Sequence, residues 1–191
     1  ELDKIYNFRR IILPHHVLPP VIVESNDELH LASNDSIRAD SKTFKIIKPA
    51  RFVTTNPTWR DYLYMTYKRP DAPNKSLLPA TRNEARLWNQ FVDQGWKQGV
   101  FQANEIFKEN LSRIKRDFAG MNLFRILEQE NMVNAPFVAE TKLGITGNKQ
   151  ELRINDRVIR ITNPSKLQTD SKKWIPILTH YDHDKRALFM K

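Results

Sequence analysis

Apolar residues fall into three regimes along the chain. In residues 1–23, ELDKIYNFRRIILPHHVLPPVIV, they come in short runs broken by Pro14, Pro19 and Pro20, which fix φ and withhold backbone donors. This predicts an extended, Pro-rich arm lying over the body. Residues 24–42 are rich in Ser, Asn and Asp, with Leu29, Leu31 and Ile37 as the large anchors, and suit a loop or an edge hairpin. In TFKIIKPARFVTT, Phe44 and Ile46 alternate with Lys45 before Pro49 interrupts, which predicts a strand over 43–54 with a break at the proline.

The second regime is helical. Asn56-Pro57 is a usual helix start, and Thr58 with Asp61 offers a competing cap. Trp59, Tyr62, Leu63 and Thr66 then share a face. Pro57, Trp59, Arg60, Asp61 and Tyr62 therefore read as a strand-to-helix corner packed by its own aromatics. After a proline-punctuated loop, Thr81-Arg-Asn-Glu84 forms a capping box. Residues 82–133 contain no proline, and Trp96, Val100, Ala103, Phe107, Leu111, Ile114, Phe118 and Met121 recur at steps of three and four. These features predict a long helix or helix pair from Thr81 to Val133, with Gly120 as the place to kink or restart. Gly95, Gly99 and Ala103 form a second row. A helical glycine costs about 1 kcal/mol relative to alanine, so the row predicts a segment packed closely against it, the Pro-rich arm being one candidate.

From Phe137 the period becomes two. Phe137, Ala139, Thr141, Leu143 and Ile145 line one side of a strand, and ITGNKQE supplies a turn. LRINDRVIRI reads as a second hairpin turning at Asp156-Arg157. That register sets Arg153 opposite Arg160, and like charges directly opposite are destabilising. Arg153, Arg160 and Arg157 are therefore candidate contacts to an acidic partner. The fold class is α+β: a long central helix or helix pair, a small antiparallel sheet over 137–162 that the 43–54 strand can join, and the Pro-rich arm. We assign residues 1–191 to a single domain, with arm and loop at 1–42, core at 43–162 and an irregular tail at 163–191.

Composition narrows the function. The chain is polar for a globular protein, with mean hydropathy −0.60 and 40% hydrophobic residues. It has no Cys, hence no disulfide framework, Cys zinc site or thiol nucleophile. It begins at Glu1 without an apolar signal stretch, which reads as a trimmed chain. The net charge of +9 invites a nucleic-acid reading. Yet the excess is spread as +3 over 1–80, +1 over 81–133 and +5 over 134–191, with no basic block. A solvated basic surface or an acidic protein partner fits this spread better. The basic and aromatic residues of 51–69 have the composition of a base-stacking platform, so a nucleic-acid-binding module remains the alternative, although helical spacing places Trp59 and Tyr62 beside Leu63.

Candidate chemistry is sparse. HYDHD at 180–184 gathers two imidazoles and two carboxylates, but near the C-terminus and without ligands from elsewhere it reads as a solvated tail. His15, His16 and His30 read as surface residues. Nucleophile-elbow, zincin, P-loop and dinucleotide motifs are absent from the sequence. The expectation is a protein without catalytic residues, metal or cofactor.

The runs LPPVIVES, TFKIIKPARFVTTNPTWRDYLYM, the 78–127 segment LPATRNEARLWNQ to FRIL, and FVAETKLGITGNKQELRINDRVIRIT together resemble the DotC family of Dot/Icm type IVB secretion, which includes the TraI lipoprotein of IncI-type conjugation systems. The similarity spans residues 18–178, and the W-R-D-Y-L corner and the A-R-x-x-W-x-x-G-W-x-x-G-V pattern are its more specific parts. The resemblance implies a structural subunit of an outer-membrane core complex. Its implied partners are DotD-like and DotH-like proteins, and it helps place the latter in the outer membrane. The location implied is periplasmic, at the outer membrane, through a lipidated N-terminal cysteine that this chain does not contain. The family brings no catalytic residues.

Overall fold

A computed structural model describes residues 1–175. In chain order the elements are α1 (Leu2–Ile5), β1 (Val17–Leu18), β2 (Val21–Ser33), β3 (Ser36–Lys48), β4 (Arg51–Phe52), α2 (Arg60–Leu63), α3 (Arg82–Gln129), β5 (Phe137–Gly147) and β6 (Leu152–Asn163), with short 3-10 turns between some of them. The mixture is α+β, with one long helix and small antiparallel sheets. Two compact units divide the chain: Glu1–Arg9 with Asn56–Phe118, and Arg10–Thr55 with Ala119 onward.

The second unit is built on the apolar runs of the arm. Leu13, Val17 and Ile22 are buried with Phe124 and Leu127 of α3 and with Val133, and Phe44, Ile46, Val138 and Ile161 pack against them. The arm thus supplies core rather than cover, and Pro19 and Pro20 are fully buried. β2 and β3 pair over their whole length around a two-residue turn at Asn34-Asp35. The polar stretch 24–42 is therefore a hairpin, anchored at its apolar base, where Ile22 faces Ile46. Toward its tip the ribbon is exposed, Leu29, Leu31 and Ile37 included.

The 43–54 strand does not join the 137–162 sheet. β3 pairs with β2, and beyond Pro49 the short β4 pairs with β1. β5 and β6 form a separate two-stranded sheet. Its turn is the one expected in ITGNKQE: the Asn148 side chain accepts from the Gln150 and Glu151 N–H groups, 2.9 Å each. The second hairpin expected at Asp156-Arg157 does not form, because β6 runs unbroken to Asn163. Asn155 takes a left-handed φ of 58° and Gly144 on the facing strand one of 81°, so turn chemistry has produced a bulge within a continuing strand. The register shifts decide which side of the strand faces the core. Phe137 and Ile145 are exposed, whereas Val138, opposite Ile161, reaches the core.

α3 runs from Arg82 to Gln129 as one continuous helix, without the restart that Gly120 suggested. Its start is the capping box. Glu84 N–H donates to the Thr81 hydroxyl at 3.3 Å, and the Glu84 carboxylate accepts from the Ala80 and Thr81 N–H groups at 2.8 and 3.3 Å. Its end is a Schellman motif on Asn131, with φ 56°: Met132 N–H donates to Leu127 O at 2.8 Å and Asn131 N–H to Glu128 O at 3.1 Å. Those backbone hydrogen bonds, Ala80 first, hold the Glu84 carboxyl below its ordinary 4.5. A depressed acid stabilises the fold above its unfolded pKa, and that contribution is lost as pH falls through the lowered folded value. Acidification below about pH 4.5 is therefore expected to fray the first turn of α3, and Thr81→Ala to cost about 1 kcal/mol locally. Amide hydrogen exchange at residues 82–85 reads both.

Candidate interaction surfaces

The corner is held inside the first unit. α2 is a single turn, and the competing cap is the one used: the Asp61 carboxylate accepts from the Thr58 N–H at 2.6 Å and its hydroxyl at 3.1 Å. Pro57 precedes this turn, and Thr66, expected on the helical face, lies beyond it and is exposed. Tyr62 stacks on Phe8 with ring centroids 5.8 Å apart and planes 6° apart. Phe118 meets Phe8 edge-on at 5.3 Å, and Tyr6 meets Phe118 edge-on at 5.5 Å. Trp59 Nε1 donates to the Asp3 carboxylate at 2.8 Å, and the Arg60 guanidinium lies 4.4 Å from the Trp59 ring centroid. Of the aromatics that a base-stacking platform would present, Trp59 and Tyr62 are thus engaged within the chain, whereas Tyr64 and Tyr67 are exposed.

Sequence reasoning missed the carboxylate beneath this cluster. Asp117 is 1% exposed and accepts from the Tyr62 hydroxyl at 3.3 Å and from Arg116 at 3.1 Å. Its signal was its place on the apolar row of α3, between Ile114 and Phe118. A charge there must be paired to be tolerated.

The apolar row of α3 is only partly covered. Ile114 and Met121 are buried, but toward the N-terminus the same row opens to solvent, with Trp96 73% and Phe107 52% exposed. Gly95 and Gly99 have nothing within 4 Å of a would-be Cβ, so among the described residues, the Pro-rich arm included, no segment packs against the Gly95, Gly99, Ala103 row as expected. A larger side chain at Gly99 accordingly meets no described residue in the free chain. Close approach occurs instead at Gly120, where a Cβ would stand 2.5 Å from Val21 Cγ1 and 2.6 Å from Ile22 O. A groove of about 620 Å³ lies beside the start of the helix, between Leu77 and Leu78 on the loop and Leu87, Trp88 and Phe91 on α3.

On the β5–β6 ribbon the arginines are arranged differently from the expectation. Arg153 is opposite Thr146 and Arg160 opposite Ala139, because the continuous β6 removes the hairpin that would have paired them. The like-charge step is Arg157 opposite Lys142. It is relieved by Glu140, whose carboxylate is 3.4 Å from Arg157 Nη1. Arg153 pairs with Glu151 at 2.9 Å, and all three arginines are exposed.

Among the described residues no three His, Asp or Glu side chains gather as a metal site, and no helix is long and apolar enough to cross a membrane. HYDHD, 180–184, lies outside the described residues. The described surface exposes apolar side chains on α3 and on both ribbons. Comparison with curated proteins returns no match. The profile of a family described as "Type IV secretory system, conjugal DNA-protein transfer" matches residues 1–176. With nearly its whole length matched, the chain belongs to this TraI-type family of type IV secretion and conjugation systems.

Proposed function

We propose that the chain is a DotC-like structural subunit of the outer-membrane core complex of a type IVB secretion or conjugation system. It works in the periplasm at the outer membrane with DotD-like and DotH-like partners, and it helps place the outer-membrane component. The observation that carries this reading is the amount of apolar surface left open in a member of a type IV secretion family: half of a long amphipathic helix and the tips of two ribbons. Monomeric soluble proteins rarely expose contiguous apolar patches of this kind without a partner. The W-R-D-Y-L corner and the glycine-bearing helix motif support the DotC assignment within that family.

The ribbon arginines belong to the proposal in a modified form. Arg160 is the contact to an acidic partner that, among the described residues, needs no intrachain carboxylate to be displaced, whereas Arg153 and Arg157 would exchange Glu151 and Glu140 for it. The proposal assigns the chain no catalysis. Fractionation of envelopes from cells with and without the gene tests it: the DotH-like protein is expected to leave the outer-membrane fraction when the chain is missing. An unchanged distribution would contradict the proposed role.

A further inference from the structure

We infer that the open stripe of α3 is a self-association surface, covered by the same stripe of a second copy crossing antiparallel about a two-fold axis between Gly95 and Gly99. Trp88, Val92, Trp96 and Val100 recur at steps of four along the helix, Phe91 and Phe107 lie on the adjoining Gly95, Gly99, Ala103 row, and all six are exposed by between 36% and 73%. At about 150–250 Å² for an aromatic side chain, these fractions leave on the order of 700 Å² of apolar side chain open per copy. The share each partner contributes to a standard stable interface is about 800 Å². The stripe alone is large enough to hold a dimer.

A second copy fits because the row is complementary to itself when reversed. An isologous contact pairs residue i with j and j with i. Centred between Gly95 and Gly99, the antiparallel crossing sets Gly95 against Gly99 at the axis, Phe91 against Ala103 one turn out and Leu87 against Phe107 beyond, so the backbones can approach closely in the middle and the apolar side chains close over the ends. The Phe107 of the second copy then arrives at the groove between Leu77, Leu87 and Trp88. A parallel crossing would instead set Trp96 on Trp96. The stripe itself carries no charge. Lys97, at the axis but off the stripe, is paired with Asp93 at 2.7 Å, so two copies bring together neutral surfaces. Gln94, Gln98 and Gln102 flank the other side without charge.

The experiment is sedimentation of the full chain across micromolar concentrations, without any secretion partner, so its outcome is independent of the assembly reading. A reversible dimer is expected. Trp96→Glu and Gly99→Leu should each weaken it by about tenfold or more without lowering the thermal midpoint of the dilute chain, since both positions are open in the monomer. Spin labels at Asn83 should lie about 40 Å apart in the antiparallel dimer at 1.5 Å rise per residue. A chain that stays monomeric, or a dimer that survives both substitutions, would overturn the inference. So would labels within about 15 Å of each other, the parallel arrangement.

Discussion

Phe124→Ala is expected to lower the stability of the second unit by about 3–5 kcal/mol, measured by denaturant unfolding. Phe124 is fully buried at the centre of the cluster formed by Leu13, Val17, Ile22, Leu127 and Val133. Its ring is held between the arm and the C-terminal turns of α3. Both sides are fixed, the arm by Pro19 and Pro20 and the helix end by the Schellman motif on Asn131, so the cavity cannot close by local shifts. The large end of the range follows from that rigidity. Trp96→Ala, a larger truncation on the exposed part of the same helix, should cost the dilute chain little, because Trp96 keeps most of its surface in water already.

Gly120→Ala is expected to destabilise by about 1–3 kcal/mol through overpacking, although alanine is the better helix former by about 1 kcal/mol. The added Cβ would stand 2.6 Å from the Ile22 carbonyl oxygen and 3.1 Å from its amide nitrogen, and backbone cannot rotate aside as a side-chain end can. The start of β2 must move, and with it Val21 and Ile22, two of the most buried residues of the unit. Gly95→Ala and Gly99→Ala are the controls. With open space at both positions, each should raise helix stability by up to about 1 kcal/mol in the dilute chain. A stability gain at Gly120, or an equal loss at all three, would show that the close approach of β2 is not what requires the glycine.

The long helix was legible in the sequence because its signals are local: a capping box, no proline over 82–133, and an apolar row at helical spacing. Gly120 reads as a place to restart because a glycine that breaks a helix and one that admits a neighbouring backbone look alike without the neighbour. Amphipathicity likewise says that a face needs covering. It does not say that Ile114 is covered within the chain while Trp96 is not. Asn155-Asp156 has the chemistry of a turn and of a bulge, and the choice between them is made by the facing strand, where Gly144 takes the matching positive φ. The 24–42 hairpin was half legible for a related reason. Its register is set at its base by Ile22 and Ile46, and the polar residues beyond follow.

The candidate surfaces were legible as residues but not as arrangements. Sequence spacing found the aromatic corner, and the structure spends it on Phe8, Phe118 and Asp3. The ribbon arginines were found, yet their opposition dissolves once β6 runs straight through, and Glu140 becomes the counterion of Arg157. Asp117 was missed because a single acid on an apolar row reads as an imperfection in the row until Tyr62 and Arg116 are seen to hold it.

The most direct measurement of the assembly role is reconstitution of the chain with purified DotD-like and DotH-like proteins, followed by size-exclusion chromatography with light scattering. A single species containing all three proteins is predicted, together with no DNA affinity that falls steeply as salt rises. Separate elution of the three proteins, with salt-sensitive DNA binding by this chain alone, would contradict the account.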